Sequence, residues 1–242
     1  MITTTNKISA FTVSNKIFAN SYSLSDCIKI VSYSTYLGEK RPPLMIRRFK
    51  STVVIPLQQP DADLLMGMKS KTRNQIRKAI KDNVDCSLSS DIEEFVLFYN
   101  AFAKEKGLPS IKPSTCLKYK ESLYLSKAVY ENKVICYHAN LIDFESRRSI
   151  LLYSASARLT DKVDRGLIGN ANRYLHYFDL CKLRDDGIEV YDFGGVYLGN
   201  KDKAKMGIAD FKQSFGGTIE KVISYISLGF YFMYILKTSF HK

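Results

Sequence analysis

The sequence predicts an α/β (α+β) protein built on a mixed, mostly antiparallel sheet with helices on both faces. Three observations predict it. Segments 126–130, 134–144 and 149–157 are β-rich, lie close together and are separated by polar turns, the pattern of an antiparallel meander. A helix, strand, helix, strand, strand order follows, from residue 172 to residue 236. Finally, 242 residues of which 45% are apolar and 12% aromatic supply a real core and exclude a disordered chain.

Taken in order, residues 8–18 and 27–37 read as strands. Arg41-Pro42-Pro43 marks a turn, and 49–57 is a further strand. Asp61 and Asp63 after Pro60 begin a helix that carries on to Lys81, with Leu64, Leu65, Met68, Ile76, Ala79 and Ile80 as its apolar stripe. Ser90 and Glu93 form a capping box for a helix over 91–106 that Gly107 closes. Pro113 opens a third short helix, to about Leu123. After the meander, a loop to Gly169 leads into a helix over 172–186, ended by Gly187. A short buried strand, 188–193, runs into Gly194-Gly195. A helix over 204–215 and terminal strands over 218–228 and 229–236 complete the chain. The expected organisation is an N-terminal α/β half, 1–110, and a second domain, 111–242.

The formal charge of +12 is local. Residues 40–81 hold eleven bases and two acids, whereas 82–242 is close to neutral. Lys69, Arg73, Arg77 and Lys81 recur every fourth residue, where like charges repel by about 0.2–0.5 kcal/mol per pair. Two readings fit: a solvated face, or a site for a phosphate-bearing ligand that offsets the repulsion. Cys27, Cys86, Cys116, Cys136 and Cys181 are scattered, with no CxxC. Neither a disulfide framework nor a metal site is expected, and a reducing cytoplasm fits. The first thirty residues lack a signal-peptide core, and the longest apolar run, Leu228 to Leu236, is too short to cross a bilayer.

Residues 164–217 carry a resemblance. An aromatic-rich helix start (Tyr174-Leu175-His176) is followed by Tyr191-Asp192-Phe193-Gly194-Gly195. Then comes Gly207-Ile208-x-x-Phe211-Lys212-x-x-Phe215-Gly216-Gly217. This order and spacing resemble the Fem-type nonribosomal peptidyltransferases, a branch of the GNAT acyltransferases. The basic segment 71–81 also resembles that family's first-domain helix. The resemblance implies a GNAT fold with a reduced N-terminal GNAT-like half. It also implies transfer of an acyl group to an amine. The chain is shorter than the family's two-domain members and no long helical arm is readable, which favours acyl-coenzyme A as the cosubstrate. The closest match in kind is a compact N-acyltransferase acting on a nucleotide-linked amino sugar.

In a GNAT enzyme the donor pyrophosphate lies on backbone N–H groups at a helix start. Gly169, Asn170, Ala171 and Asn172, with Arg165 before them, occupy that place on the resemblance; an ordinary helix start is the alternative. Strand 151–157 is then expected to splay from 188–193 to admit the pantetheine arm. Asp192 is a candidate base, or else the cap of the turn after it. His138 on the meander is a second candidate for proton transfer, as histidine can be, and could face either way; His176 reads as a packing residue. Tyr153 reaches the acceptor or the leaving thiolate, or packs in the core. Lys212 matches the family lysine beside the reacting groups. Lys71, Arg73 and Arg77 are the candidates for an acceptor diphosphate. The alternatives are an aminoacyl-tRNA-dependent peptidyltransferase and a non-enzymatic protein binding RNA or a membrane surface; on the leading reading no nucleic acid partner is expected.

Overall fold

The structure is a computed structural model that describes residues 1–8, 11–157, 164–199 and 201–239. Its elements are β1 (Ile2–Ile8), β2 (Phe11–Ile17), β3 (Ile30–Ser34), β4 (Met45–Pro56), α1 (Asp61–Gly67), α2 (Ser70–Lys81), β5 (Asp85–Ser89), α3 (Ile92–Lys106), α4 (Pro113–Leu117), β6 (Leu123–Tyr130), β7 (Lys133–Asp143), β8 (Arg148–Ser156), α5 (Arg165–Asp185), β9 (Val190–Gly195), α6 (Lys203–Gln213), β10 (Thr218–Ser227) and α7 (Leu228–Ser239). The chain divides into two units, Met1–Thr52 with Glu220–Lys242, and Val53–Ile219. The boundary expected at residue 110 falls inside the second.

In the first unit the strand order is β1-β2-β3-β10-β4. β1 and β2 form a hairpin from Ile2↔Ile17 to Ile8↔Phe11, so the expected strand 8–18 is the return arm of a pair. β2 runs parallel to β3, and β3 antiparallel to β10. Tyr36 packs edge-on against Tyr33 and Tyr225 at centroid distances of 5.5 and 5.2 Å. The second terminal strand, expected over 229–236, is instead helix α7. An unbroken apolar run has no period that separates strand from helix. Ser227 decides it: its Oγ accepts the Phe230 N–H at 3.2 Å, an N-cap that starts a helical turn.

In the second unit the order is β4-β9-β8-β7-β6-β5. The expected meander is present as β6, β7 and β8, all antiparallel, and β9 joins β8 in parallel. Glu131 and Asn132 both take positive φ (47° and 61°), as a tight primed hairpin turn requires. One layer of core holds Phe95, Tyr99, Tyr137 and Ala139, where α3 meets the sheet. Ile168, Ala171, Leu175, Leu180 and Leu183 of α5 bury against other groups of sheet residues, among them Ile135, Tyr191 and Phe193. Each fully buried Leu, Ile or Phe contributes about 1.5–3 kcal/mol, so these layers hold the sheet between its helices.

Several element boundaries differ from expectation: the helix expected from Pro113 to about Leu123 ends at Leu117, the strand expected over 27–37 is confined to Ile30–Ser34, and three further differences have a clear physical cause. The helix expected over 61–81 breaks at Met68 and Lys69, both extended. There the Lys69 N–H donates to the Ser214 carbonyl at 2.9 Å and Thr72 Oγ1 meets Ser214 Oγ at 2.9 Å, contacts a continuous helix cannot make. Gly216 makes this approach feasible: it has φ +85°, and a Cβ there would lie 2.5 Å from the Gly67 carbonyl oxygen. Helix α3 is capped by Asp91, whose Oδ1 accepts the Glu94 N–H at 2.8 Å, rather than by Ser90. Its close at Gly107 (φ 63°) is as expected. Helix α5 begins seven residues before Asn172, with Asp164 as its cap.

Candidate active site

β8 and β9 pair over only three residues, Arg148↔Val190, Ser149↔Tyr191 and Ile150↔Asp192. Their register ends there, although β8 continues to Ser156 and β9 to Gly195. On its other side β8 stays paired with β7, and a register shift places Tyr153 opposite Ala139 and Leu151 opposite Asn140. This bulge at Leu152 adds local twist and helps turn β8 away from β9. The pairing therefore ends where the family resemblance implies a splay. The side of β8 facing β9 beyond Ile150 offers N–H and C=O groups to an incoming ligand, in the manner of strand addition.

The mouth of this wedge is formed by the end of β9. Asp192 is buried, and its Oδ1 accepts the Gly194 N–H at 2.7 Å, which makes it the cap of the turn. That contact bends the chain at Gly194 (φ 75°), whose Cα hydrogen side faces the Leu151 carbonyl, a Cβ there falling 3.6 Å from its oxygen. Lys212 projects from α6 to the same turn and donates to the carbonyls of Gly194 at 3.3 Å and Gly195 at 2.8 Å. Burial lowers its pKa, opposed by the Asp192 charge that favours the ammonium form. The result is a half-buried ammonium held over the opening between two strands. Such a group can stabilise an oxyanion developing on a carbonyl lodged in the wedge.

The other expected site residues fall into separate groups. Tyr153 packs on α3, with Tyr99 at a centroid distance of 4.7 Å and Phe95 at 6.1 Å, and burial pushes its hydroxyl up to about 12. It is a core tyrosine. His138 is fully buried under α5: Nδ1 lies 2.7 Å from Asp179 Oδ2 and Nε2 3.0 Å from Asn172 Oδ1. His176 stacks on its ring, centroids 4.0 Å apart, and touches Phe193, Phe211 and Phe215. Burial, with His138, Arg173 and Lys212 nearby, holds His176 well below its ordinary value and neutral. His138 thus meets the α5 side chains Asn172, His176 and Asp179.

The expected pyrophosphate residues do not stand at a helix start. Gly169, Asn170 and Ala171 are buried within α5, and the side chain of Asn172 is turned to His138. The helix start is at Asp164, whose Oδ1 takes the Gly166 N–H at 2.9 Å, with exposed Arg165 beside it. A carboxylate there occupies the positive end of the helix that a pyrophosphate would use. On α2, Lys71 and Arg77 are exposed, but Arg73 donates to the carbonyls of Met66 and Met68 and so ties α1 to α2. Lys78 pairs with Asp82 at 3.1 Å.

Asp179 and Asn140 are the polar residues that sequence reasoning missed. Asn172, His176 and Asp179 stand at i, i+4 and i+7 on the face of α5 that also carries Leu175, Leu180 and Leu183. A polar stripe within an apolar face is the signal that could have found them.

No protein-family model matches the sequence, and no curated protein matches it. Solved structures do match in fold. FemX aligns with a TM-score of 0.68 at 13% identity, over 96% of this chain and 85% of that one. The C-terminal domain of a protein described as a lysylphosphatidylglycerol synthetase, from Agrobacterium fabrum, gives 0.60 at 9% identity, over 92% and 79%. The L-PGS of Bacillus licheniformis gives 0.54 at 10%, over 92% and 79%. The fold is GNAT-like. Among the described residues no helix is long and apolar enough to cross a membrane.

Proposed function

We propose that the protein transfers an aminoacyl group from an activated ester to an amine, the Fem-type reaction. The observation that carries the reading is the β8–β9 splay with Lys212 held at its mouth. The donor carbonyl pairs with the edge of β8. The acceptor amine attacks it, an N–C bond forms, and the ester C–O bond breaks. Lys212 and a β8 N–H stabilise the oxyanion between these steps. The proton lost by the amine passes to the departing alkoxide. An amine of pKa near 8 is about one-tenth neutral at pH 7, so no buried base is required, which suits an Asp192 engaged as a turn cap.

Two facts favour an ester of tRNA as donor over acyl-coenzyme A. The α5 start carries Asp164 where a pyrophosphate would bind, and the FemX likeness spans 96% of the chain. One of the other neighbours is named for lysylphosphatidylglycerol synthesis, also an aminoacyl ester in name. On this reading exposed Lys71 and Arg77 meet donor phosphates. A second reading keeps acyl-coenzyme A as donor and a nucleotide-linked amino sugar as acceptor, with the same two residues on the acceptor diphosphate. It is favoured by the free edge of β8, which suits the amides of a pantetheine arm.

Consumption of charged tRNA or of acyl-coenzyme A, measured against nucleotide-linked amino sugars, amino-terminated peptides and vesicles of aminophospholipid, separates the two. Fem-type transfer requires loss of charged tRNA that depends on the amine, with Arg77→Glu raising the KM for the donor. Thiol release from acyl-coenzyme A, with Arg77→Glu raising the acceptor KM instead, replaces it with the second reading. Consumption of neither donor overturns both.

A further inference from the structure

The space beneath α5 holds a set of buried polar atoms that the wedge chemistry does not use. Asp179 Oδ1, His176 Nδ1, Asn140 Oδ1 and the hydroxyls of Tyr124, Ser126, Ser149 and Tyr191 are all buried and without a hydrogen-bond partner. Strand register gathers them. Tyr124 pairs with Asn140, Ser126 with His138, and Ser149 with Tyr191, and residues opposite each other share a sheet face. Cys136, His138 and Asn140 alternate toward α5, where Cys136 meets the Ile168 carbonyl and the other two meet Asp179. A single orphaned hydroxyl is common, but this many in one patch of core costs more than a fold retains without an occupant.

The occupant's charge follows from its surroundings. Asp179 is fully buried, and among the described residues no lysine or arginine pairs with it. The half-engaged Asp179 carboxylate supplies the negative charge at this point, so the occupant that offsets it is a cation. His176 Nδ1 is buried with no hydrogen-bond partner, and an imidazole nitrogen is a common metal ligand. One ligand atom from each of His138, His176 and Asp179 lies within 4.8 Å of the others. Metal–ligand distances of about 2.0–2.2 Å need donors about 3.3–3.6 Å apart, which adjustments of about 1 Å in these side chains provide.

We propose that His138, His176 and Asp179 form a buried divalent-metal site, with Asn140 Oδ1 as fourth donor. Two imidazoles, a carboxylate and an amide oxygen suit Zn²⁺ or Co²⁺ better than Mg²⁺ or Ca²⁺, which prefer an all-oxygen set. With no CxxC and its donors drawn from residues 138 to 179, such a site has no spacing signature in the sequence. Four oxygen or nitrogen donors with no vacant approach from solvent make the role structural: the ion ties α5 to β7.

The test uses the untagged full chain, stripped with a chelator and then offered Zn²⁺ or Co²⁺. One equivalent of metal should remain after gel filtration. Co²⁺ should give visible bands of a four-coordinate site without the intense near-ultraviolet band of thiolate ligation, which sets it apart from capture by the five cysteines. A hundredfold excess of Zn²⁺ over its Kd should raise Tm by about 5–10 °C. Asp179→Asn and His176→Phe should each abolish these effects. If either variant fails to fold, the stripped wild-type chain decides alone. Retention below one-tenth of an equivalent, or a Tm unchanged by Zn²⁺, would overturn the proposal and leave ordered water as the occupant.

Discussion

Two buried carboxylates, one in each unit, are treated in opposite ways. Asp26 in the first unit accepts from Lys16 Nζ at 2.6 Å and from the Tyr33 hydroxyl at 2.5 Å. Burial alone would raise its pKa, but these partners outweigh it and hold the carboxyl below the ordinary 3.8. In the second unit, Asp179 crowds His138 and Asn140 onto Oδ2 and leaves Oδ1 with no partner. A buried carboxylate that is paired with an ammonium and hydrogen-bonded by a phenol is an anchor for the fold. One left half-engaged is costly unless something else binds to it. Satisfaction, rather than burial, separates structural from ligand-holding acids here.

The comparison breaks most visibly at the anchor. Asp26→Ala leaves Lys16 half-buried without its counter-charge and should cost about 3 kcal/mol in urea unfolding, with the transfer rate unchanged per folded molecule. Lys212→Gln should do the reverse: kcat falls about 10²–10³-fold, as for loss of one oxyanion donor, while the unfolding midpoint hardly moves. Gly216→Ala tests the close contact with Gly67 and should cost about 2 kcal/mol, because a Cβ meets a backbone oxygen at a positive φ.

Two smaller effects sharpen the contrast. Because the folded Asp26 pKa lies below its unfolded value, its stabilisation is complete above about pH 4 and is lost as pH falls through the folded pKa. Wild type and Asp26→Asn should therefore differ most at pH 5–6 and converge in acid, as read from urea midpoints. Asp179→Asn in the metal-stripped protein should change stability by about 1 kcal/mol or less, since the amide oxygen can still accept from His138. A loss as large as that of Asp26→Ala would make Asp179 a second anchor.

The sequence reveals the parts whose signal is local. The meander follows from alternation and the Glu131-Asn132 turn, and the end of α3 from Gly107. The wedge is foreseen only through the family resemblance carried by residues 164–217, which include Asp192, Gly194-Gly195 and Lys212. Elements whose boundaries depend on tertiary contacts are not legible. The break between α1 and α2 is set by Ser214 and Gly216, more than 140 residues away in sequence. Gly166 and Gly169 read as loop residues, yet Gly169 is buried within α5, whose Ile168 carbonyl lies 3.6 Å from Cys136 Sγ. In α7 the nine-residue apolar run hid the Ser227 cap. His138 could be named but not paired, because its partner lies 41 positions away on another element.

The measurement that bears most directly on the transferase assignment is the mass of the acceptor after incubation with wild-type protein and charged tRNA. The β8–β9 wedge and Lys212 predict a gain of one aminoacyl residue in a linkage that resists hydroxylamine, as an amide does and an ester does not. The gain should fall about a hundredfold or more with Lys212→Gln. An unchanged acceptor mass with every amine tested, or equal transfer by the Lys212→Gln variant, would contradict the role given to this site.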